Sequence, residues 1–129
     1  MSHSPQRIIH FASLLLVCLL VTFSSFAQDP RGTVLGRVVD ATGAVVPNAE
    51  VRIVNDATGV AASAKTNDAG NFNLPYLLTG TYTLSCEQAG FKKWVRPGIQ
   101  VRIQDSVEVD IDLAVGSTSE TMEVKETTP

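Results

Sequence analysis

Ser106-Val-Glu-Val-Asp-Ile-Asp-Leu113 carries apolar residues at Val107, Val109, Ile111 and Leu113, and acids at Glu108, Asp110 and Asp112 between them. A period of two puts the first set on one face of a strand and the second on the other. Helical spacing would instead mix carboxylates with aliphatics on every face. Working outward, the same period recurs in Thr33–Asp40 and in Ala49–Asn55, where Val51 and Ile53 oppose Glu50 and Arg52. Weaker runs follow at Val60–Thr66 and Phe72–Leu74, then Thr81–Glu87, Phe91–Arg96 and Ile99–Ile103. No window of eleven or more residues beyond Gly32 shows a helical stripe. About seven or eight short strands in such a span predict an all-β sandwich.

The segments between these runs have turn chemistry. Asp40-Ala-Thr-Gly43 and Asp56-Ala-Thr-Gly59 repeat one tetrapeptide, and Asn67-Asp-Ala-Gly70 is a variant. The first residue is expected to cap each turn with its side chain, and Gly to supply the left-handed residue leading into the next strand. Each loop offers one or two carboxylates, too few to surround a calcium ion. The Asp105, Glu108, Asp110, Asp112 group meets the same objection. Alternate strand residues stand about 7 Å apart, so a solvated acidic face is expected there.

Residues 1–27 divide as a secretory signal does. A polar start carries Arg7, an apolar run covers Phe11–Phe23, and Ser25-Phe-Ala27 places small residues for cleavage between Ala27 and Gln28. The competing reading is an uncleaved anchor, since the 19 residues of Ile8–Phe26 are barely long enough to span a bilayer. Cleavage would change the chemistry of the remainder. The full chain has 129 residues, two His and two Cys, with 10 basic residues against 13 acidic. Both His (His3, His10), Cys18 and Arg7 lie in the leader, which leaves 102 residues with Cys86 alone and 9 basic against 13 acidic groups. The balance excludes a nucleic-acid footprint, and one Cys forms no internal disulfide. Cys86 alternates with Tyr82 and Leu84 and is expected in the core, with an intermolecular disulfide as the other reading.

An enzyme finds little to work with. Without His, acid–base work falls to carboxylates, Lys or Tyr, and no nucleophile sits in a Gly-x-Ser-x-Gly setting. No Cys/His spacing suits zinc and no glycine-rich phosphate loop occurs, so no metal or cofactor is implied. Binding remains. Phe91 pairs in period with Val95 and is expected inside. Trp94 shares its other face with Lys92 and Arg96, which suggests an exposed indole. Such a ring either covers a sheet edge beside two snorkelling cations or stacks on a sugar, with Tyr76 as a second contact. Beyond Leu113 the composition turns polar, and residues 114–129 read as a flexible linker or tail.

The series Gly36-Arg-Val-Val-Asp40, Thr42-Gly43, Val46-Pro-Asn-Ala-Glu-Val51, Thr66-Asn-Asp-Ala-Gly-Asn-Phe72, Leu74-Pro75, Gly80-Thr-Tyr-Thr-Leu84 and Ala89-Gly-Phe91 resembles the carboxypeptidase regulatory-like domain. The resemblance covers residues 32–113 and implies a seven-stranded, Greek-key, transthyretin-like sandwich without catalytic residues. Thr79 departs from it, because Pro often precedes the Gly-Thr-Tyr segment. The kinship with carbohydrate-binding-like folds keeps a glycan among the expected ligands. In many exported bacterial proteins a domain of this kind is the N-terminal extension of a TonB-dependent outer-membrane receptor. Glu120, Thr121, Met122, Glu123 and Val124 then resemble a TonB box, which works by adding a strand to the sheet edge of a TonB-type periplasmic protein. The resemblance thus implies a periplasmic or outer-membrane location. The membrane contact would come only through a barrel outside this sequence, whether the chain is a receptor fragment or a stand-alone domain.

Overall fold

A computed structural model describes residues 4–21, 29–117 and 119–125. Its elements are one helix, α1 (Pro5–Val21), and nine strands. The strands are β1 (Gly32–Asp40), β2 (Glu50–Asn55), β3 (Ala61–Lys65), β4 (Asn71–Leu77), β5 (Gly80–Glu87), β6 (Lys93–Val101), β7 (Ser106–Glu108), β8 (Ile111–Leu113) and β9 (Thr121–Glu123). Helix α1 leaves residues 4–18 exposed. No helix among the described residues is long and apolar enough to cross a membrane. The cleavage pair, Ala27 and Gln28, lies outside the described residues.

The strands form two sheets, ordered β4-β1-β7/β8 and β3-β2-β5-β6-β9. Alternation decides what lies between them. Val34 and Val38 of β1, Val51 and Ile53 of β2, Leu84 and Cys86 of β5, and Ile111 and Leu113 of β8 are all buried in one cluster. Among the described residues every buried side-chain N and O has a hydrogen-bond partner. Thr66 shows how: its hydroxyl donates to the Val46 carbonyl at 2.7 Å and accepts from the Ala49 N–H at 2.8 Å. This ties the segment before β2 to the end of β3.

The nine strands differ from the eight runs read in the sequence, and from the seven strands that the resemblance implies, in three instructive ways. The two runs expected at 91–96 and 99–103 form one strand, β6, because a bulge joins them. Tyr82 and Leu84 of β5 face Ile99 and Arg96, so two steps on β5 match three on β6, and Gly98 takes up the extra residue at φ 76°. The run 106–113 is conversely split into β7 and β8. Both pair with β1 in parallel and in the same register, with Leu35 opposite Glu108 and Val38 opposite Ile111. At the break, Val109 lies over Gly36 so closely that a Cβ there would stand 1.9 Å from the Val109 carbonyl oxygen. The third departure is β9, which lies in the segment expected to be a flexible tail.

The turns follow the expected chemistry with one shift. Asp40 Oδ1 accepts from the Thr42 N–H, the Thr42 hydroxyl and the Ala44 N–H, and Asn67 Oδ1 accepts from the N–H groups of Ala69 and Asn71. In the second tetrapeptide the cap is Asn55, one residue earlier, which receives the N–H groups of Ala57 and Thr58. Asp56 instead accepts from the Thr83 hydroxyl at 2.8 Å, across to β5.

Candidate functional site

Trp94 sits in the core with 3% of its surface exposed, which corrects the exposed indole expected from its charged neighbours. The register with β5 is the reason. Trp94 stands opposite Cys86, and Arg96 opposite Leu84. Since Cys86 points inward, Trp94 opposite it does so as well, and after the bulge the inward positions of β6 become Ile99 and Val101. Lys92 and Arg96 are half-buried beside the indole, and Lys92 carries its ammonium outward to Glu120 at 3.4 Å. A buried Trp94 presents no ring face on which a sugar could stack.

Its neighbour Cys86 is fully buried, and burial pushes its thiol up to about 12, with the charge of Glu87 adding to the shift. A thiol so placed is a core side chain, as the alternation suggested, and its burial does not suit the alternative of a disulfide to another chain.

Among the described residues of the sandwich, Tyr76 is the exposed aromatic, at 70%. Alternation from Phe72 and Leu74 would carry it inward. A bulge turns it out: Gly32 and Val34 of β1 face Leu77 and Leu74 of β4, which leaves Pro75 and Tyr76 sharing one step. Pro75 has no N–H to give the ladder, and Tyr76 adopts φ 60°, the left-handed region that a residue with a bulky side chain seldom occupies. The Arg31 guanidinium lies 5.8 Å from the centre of its ring. The two residues, with Val60, Leu78, Asn55 and Thr58, line a groove of about 270 Å³ at the end of the sandwich where β1 begins. Arg31 and its contribution to this groove escaped the sequence reading, because neither the bulge nor the cation placed over the ring leaves a periodic signal.

The acidic face behaves as its spacing requires. Glu108, Asp110 and Asp112 are exposed along the outer face of the β1 sheet, beside Arg37, Asn71 and Asn73, in an open groove of about 810 Å³. Among the described residues no group of three or more His, Cys, Asp or Glu side chains is placed to hold a metal ion.

The C-terminal segment is tied to β6 in two passes. Residues 114–116 run antiparallel to 90–92, with Phe91 bridged to Val115, the Lys92 N–H donating to the Ala114 carbonyl and the Gly116 N–H to that of Gly90. After a turn in which the Glu120 N–H donates to the Ser117 carbonyl, β9 runs parallel to β6 with Met122 opposite Trp94. The Lys93 N–H donates to the Glu120 carbonyl and the Val124 N–H to that of Val95, both at 2.8 Å. Met122 and Val124 pack against the core, and Thr121 and Glu123 face solvent. The alternation in Glu120–Val124 that suits addition to another protein's sheet is thus used for addition to the chain's own.

Comparison with known proteins agrees with this arrangement of turns and strands. Residues 33–114 match the carboxypeptidase regulatory-like domain. The chain belongs to that family. The matched residues run from β1 to just past β8, so the domain ends before β9. The TonB-dependent transporter Oar of Myxococcus xanthus is 31% identical over 108 residues, 82% of this chain and 10% of the transporter. The chain therefore spans about a tenth of that relative's length. Two solved structures share the fold of the domain at low identity. The Bacillus anthracis TIE protein has a TM-score of 0.57 at 19% identity, over 67% of this chain and 17% of that chain. Hydroxyquinol 1,2-dioxygenase from Pseudomonas putida has a TM-score of 0.54 at 11% identity, over 70% of this chain and 58% of that chain. One sandwich thus serves proteins of different kinds, and function has to be argued from the residues of each.

Proposed function

We propose that this chain is a non-catalytic, exported interaction module that forms, or derives from, the N-terminal extension of a TonB-dependent outer-membrane receptor. The observation that carries the proposal is the 31% identity to a TonB-dependent transporter across 82% of this chain. The chemistry is consistent with it. The one thiol of the domain is buried with its pKa raised, and the exposed carboxylates Glu108, Asp110 and Asp112 line an open face of the sheet. On this reading the module acts in the periplasm or at the outer membrane, and Glu120–Val124 is the segment that a TonB-type protein captures as an added strand. Co-purification with the C-terminal domain of a TonB-type protein, with and without residues 120–124, tests it. Capture that depends on the segment is the expected result, and equal recovery of both proteins would refute it.

The Tyr76 groove favours a second reading, binding of a glycan. An exposed ring beside a guanidinium offers stacking and hydrogen bonding to one sugar unit. Binding on a glycan array that is unchanged by Tyr76→Ala would remove this reading.

A further inference from the structure

The segment that the proposed function assigns to a partner is, in this structure, already used. A β-strand has two hydrogen-bonding edges, and β9 turns the edge formed by residues 120, 122 and 124 toward β6. Its apolar side chains, Met122 and Val124, are committed to the core beside Trp94. The contact is nonetheless small: three paired residues and one ion pair, Lys92–Glu120, whose side chains are 39% and 56% exposed. An exposed pair of this kind contributes little, and so short a strand at a sheet edge opens at low cost.

We propose that the edge of β6 at Lys93–Val95 is an acceptor site for an extended peptide of the pattern acid–x–apolar–x–apolar. Residues 120–124 occupy it reversibly, so that capture of this segment by another protein vacates the edge. The part concerning capture rests on the receptor reading. Specificity at the site follows from its walls. Lys92 faces the acid, Trp94 receives the first apolar side chain, and the core beyond Val95 receives the second. The chain supplies Glu120, Met122 and Val124 in that order. When the segment leaves, Trp94 gains solvent on the side that Met122 covered, and the domain presents an open strand edge, a surface ready for another strand. Occupation of the edge and capture of the segment therefore compete, and the captured fraction depends on how firmly β9 is held.

Trp94 is the only Trp in the chain, so its emission reports on the site without any partner. In the full chain, Met122→Asp places a charge against the indole and is expected to shift the emission to longer wavelength. The same substitution should remove the exchange protection of the Lys93 and Val124 amides while the amides of β2 and β5 keep theirs. That last measurement separates release of the strand from unfolding. A synthetic peptide of residues 119–125 added to the variant is expected to restore the emission, and the same peptide carrying Met122→Asp is not. Unchanged emission and unchanged amide protection in Met122→Asp overturn the acceptor site, as does a peptide that restores neither. For the competition, Lys92→Glu leaves the captured segment intact and sets like charges against one another. Capture by the TonB-type domain should then tighten by about two- to fivefold, and adding Glu120→Lys should reverse the gain. Equal or weaker capture by Lys92→Glu overturns the coupling. If the wild-type chain and Lys92→Glu both escape capture although the emission shifts with Met122→Asp, the receptor reading fails and the acceptor site stands on the peptide result.

Discussion

Replacing Gly36 by Ala adds one methyl group to a strand, a change that strand propensity would favour. Here it should be among the costliest single substitutions in the domain. The new Cβ would lie 1.9 Å from the Val109 carbonyl oxygen, 2.7 Å from its carbon and 3.0 Å from Cε1 of Phe72. Contacts below 3.0 Å do not occur at real Cβ atoms, so the Val109 peptide must retreat by about 1.1 Å (3.0 − 1.9). Neither neighbour is a flexible side-chain tip. Val109 is 1% exposed, and its N–H donates to the Leu35 carbonyl at 2.8 Å, the bond that carries the sheet across the gap between β7 and β8. Overpacking of this kind costs about 1–3 kcal/mol, and weakening that bond adds about 1 kcal/mol. The total is about 2–4 kcal/mol, a large part of the roughly 5–15 kcal/mol that holds a domain folded. Gly43→Ala is the matched control. Gly43 has φ 84°, and a Cβ added there would meet nothing within 4 Å, so only backbone strain of about 1–2 kcal/mol opposes the change. Urea unfolding of the full chain followed by circular dichroism measures both. Gly36→Ala should lower the midpoint more than Gly43→Ala with little change in slope. The reverse order would show that β7 and β8 are not held against Gly36 as described.

Three further measurements bear on the geometry. Tyr76→Gly should leave stability unchanged or slightly raised, because relief of about 1 kcal/mol of left-handed strain offsets the exposed contact with Arg31, and a loss above roughly 2 kcal/mol in urea unfolding would mean that the ring is packed. Hydrogen bonds from Thr42 and Ala44 hold the Asp40 carboxyl below its ordinary value of 3.8. A depressed folded value contributes stability above the unfolded pKa and loses it as pH falls through the folded one. The midpoint advantage of the wild type over Asp40→Ala should therefore be present at about pH 6 and shrink toward about pH 2, and a constant advantage at both would rule the carboxylate out as its source. Cys86, with its thiol near 12 and no exposed surface, should resist a thiol reagent at about pH 8 until urea unfolds the chain, whereas the exposed Cys18 should react at once in the full chain, so labelling of both thiols in the native state would contradict the core described.

What the sequence made legible was whatever has a period. The alternation in 106–113 identified the inner face of β7 and β8 correctly, and Val109, Ile111 and Leu113 are buried. Turn chemistry located the Asp40 and Asn67 caps because an Asx side chain bonds to N–H groups close by in sequence. Three features escaped for a shared reason. The bulge at Pro75–Tyr76, the bulge at Gly98 and the approach of Val109 to Gly36 each depend on the register between two strands. One strand's sequence does not contain that register. Trp94 was misplaced on the same ground: its charged neighbours suggested the outer face, and the pairing with Cys86 and Leu84 decided for the inner one.

The tail brings these points to bear on function. Polarity made residues 114–129 look like a linker, and the alternation in Glu120–Val124 was assigned to a partner's sheet, although alternation specifies only that the segment adds to an edge. Which edge depends on effective concentration and complementarity. The edge of β6 is tethered to the segment by a few residues, which gives it an advantage that a protein free in solution must overcome by binding more tightly. The complementarity is specific as well, since Lys92 meets Glu120 and Trp94 meets Met122. A tail selected only to be captured would gain from staying free of its own domain. The pairing with β6 therefore argues that the closed edge has a use in the uncaptured state: it covers Trp94 and occupies the Lys93–Val95 part of the rim of the five-stranded sheet, where another chain would otherwise add.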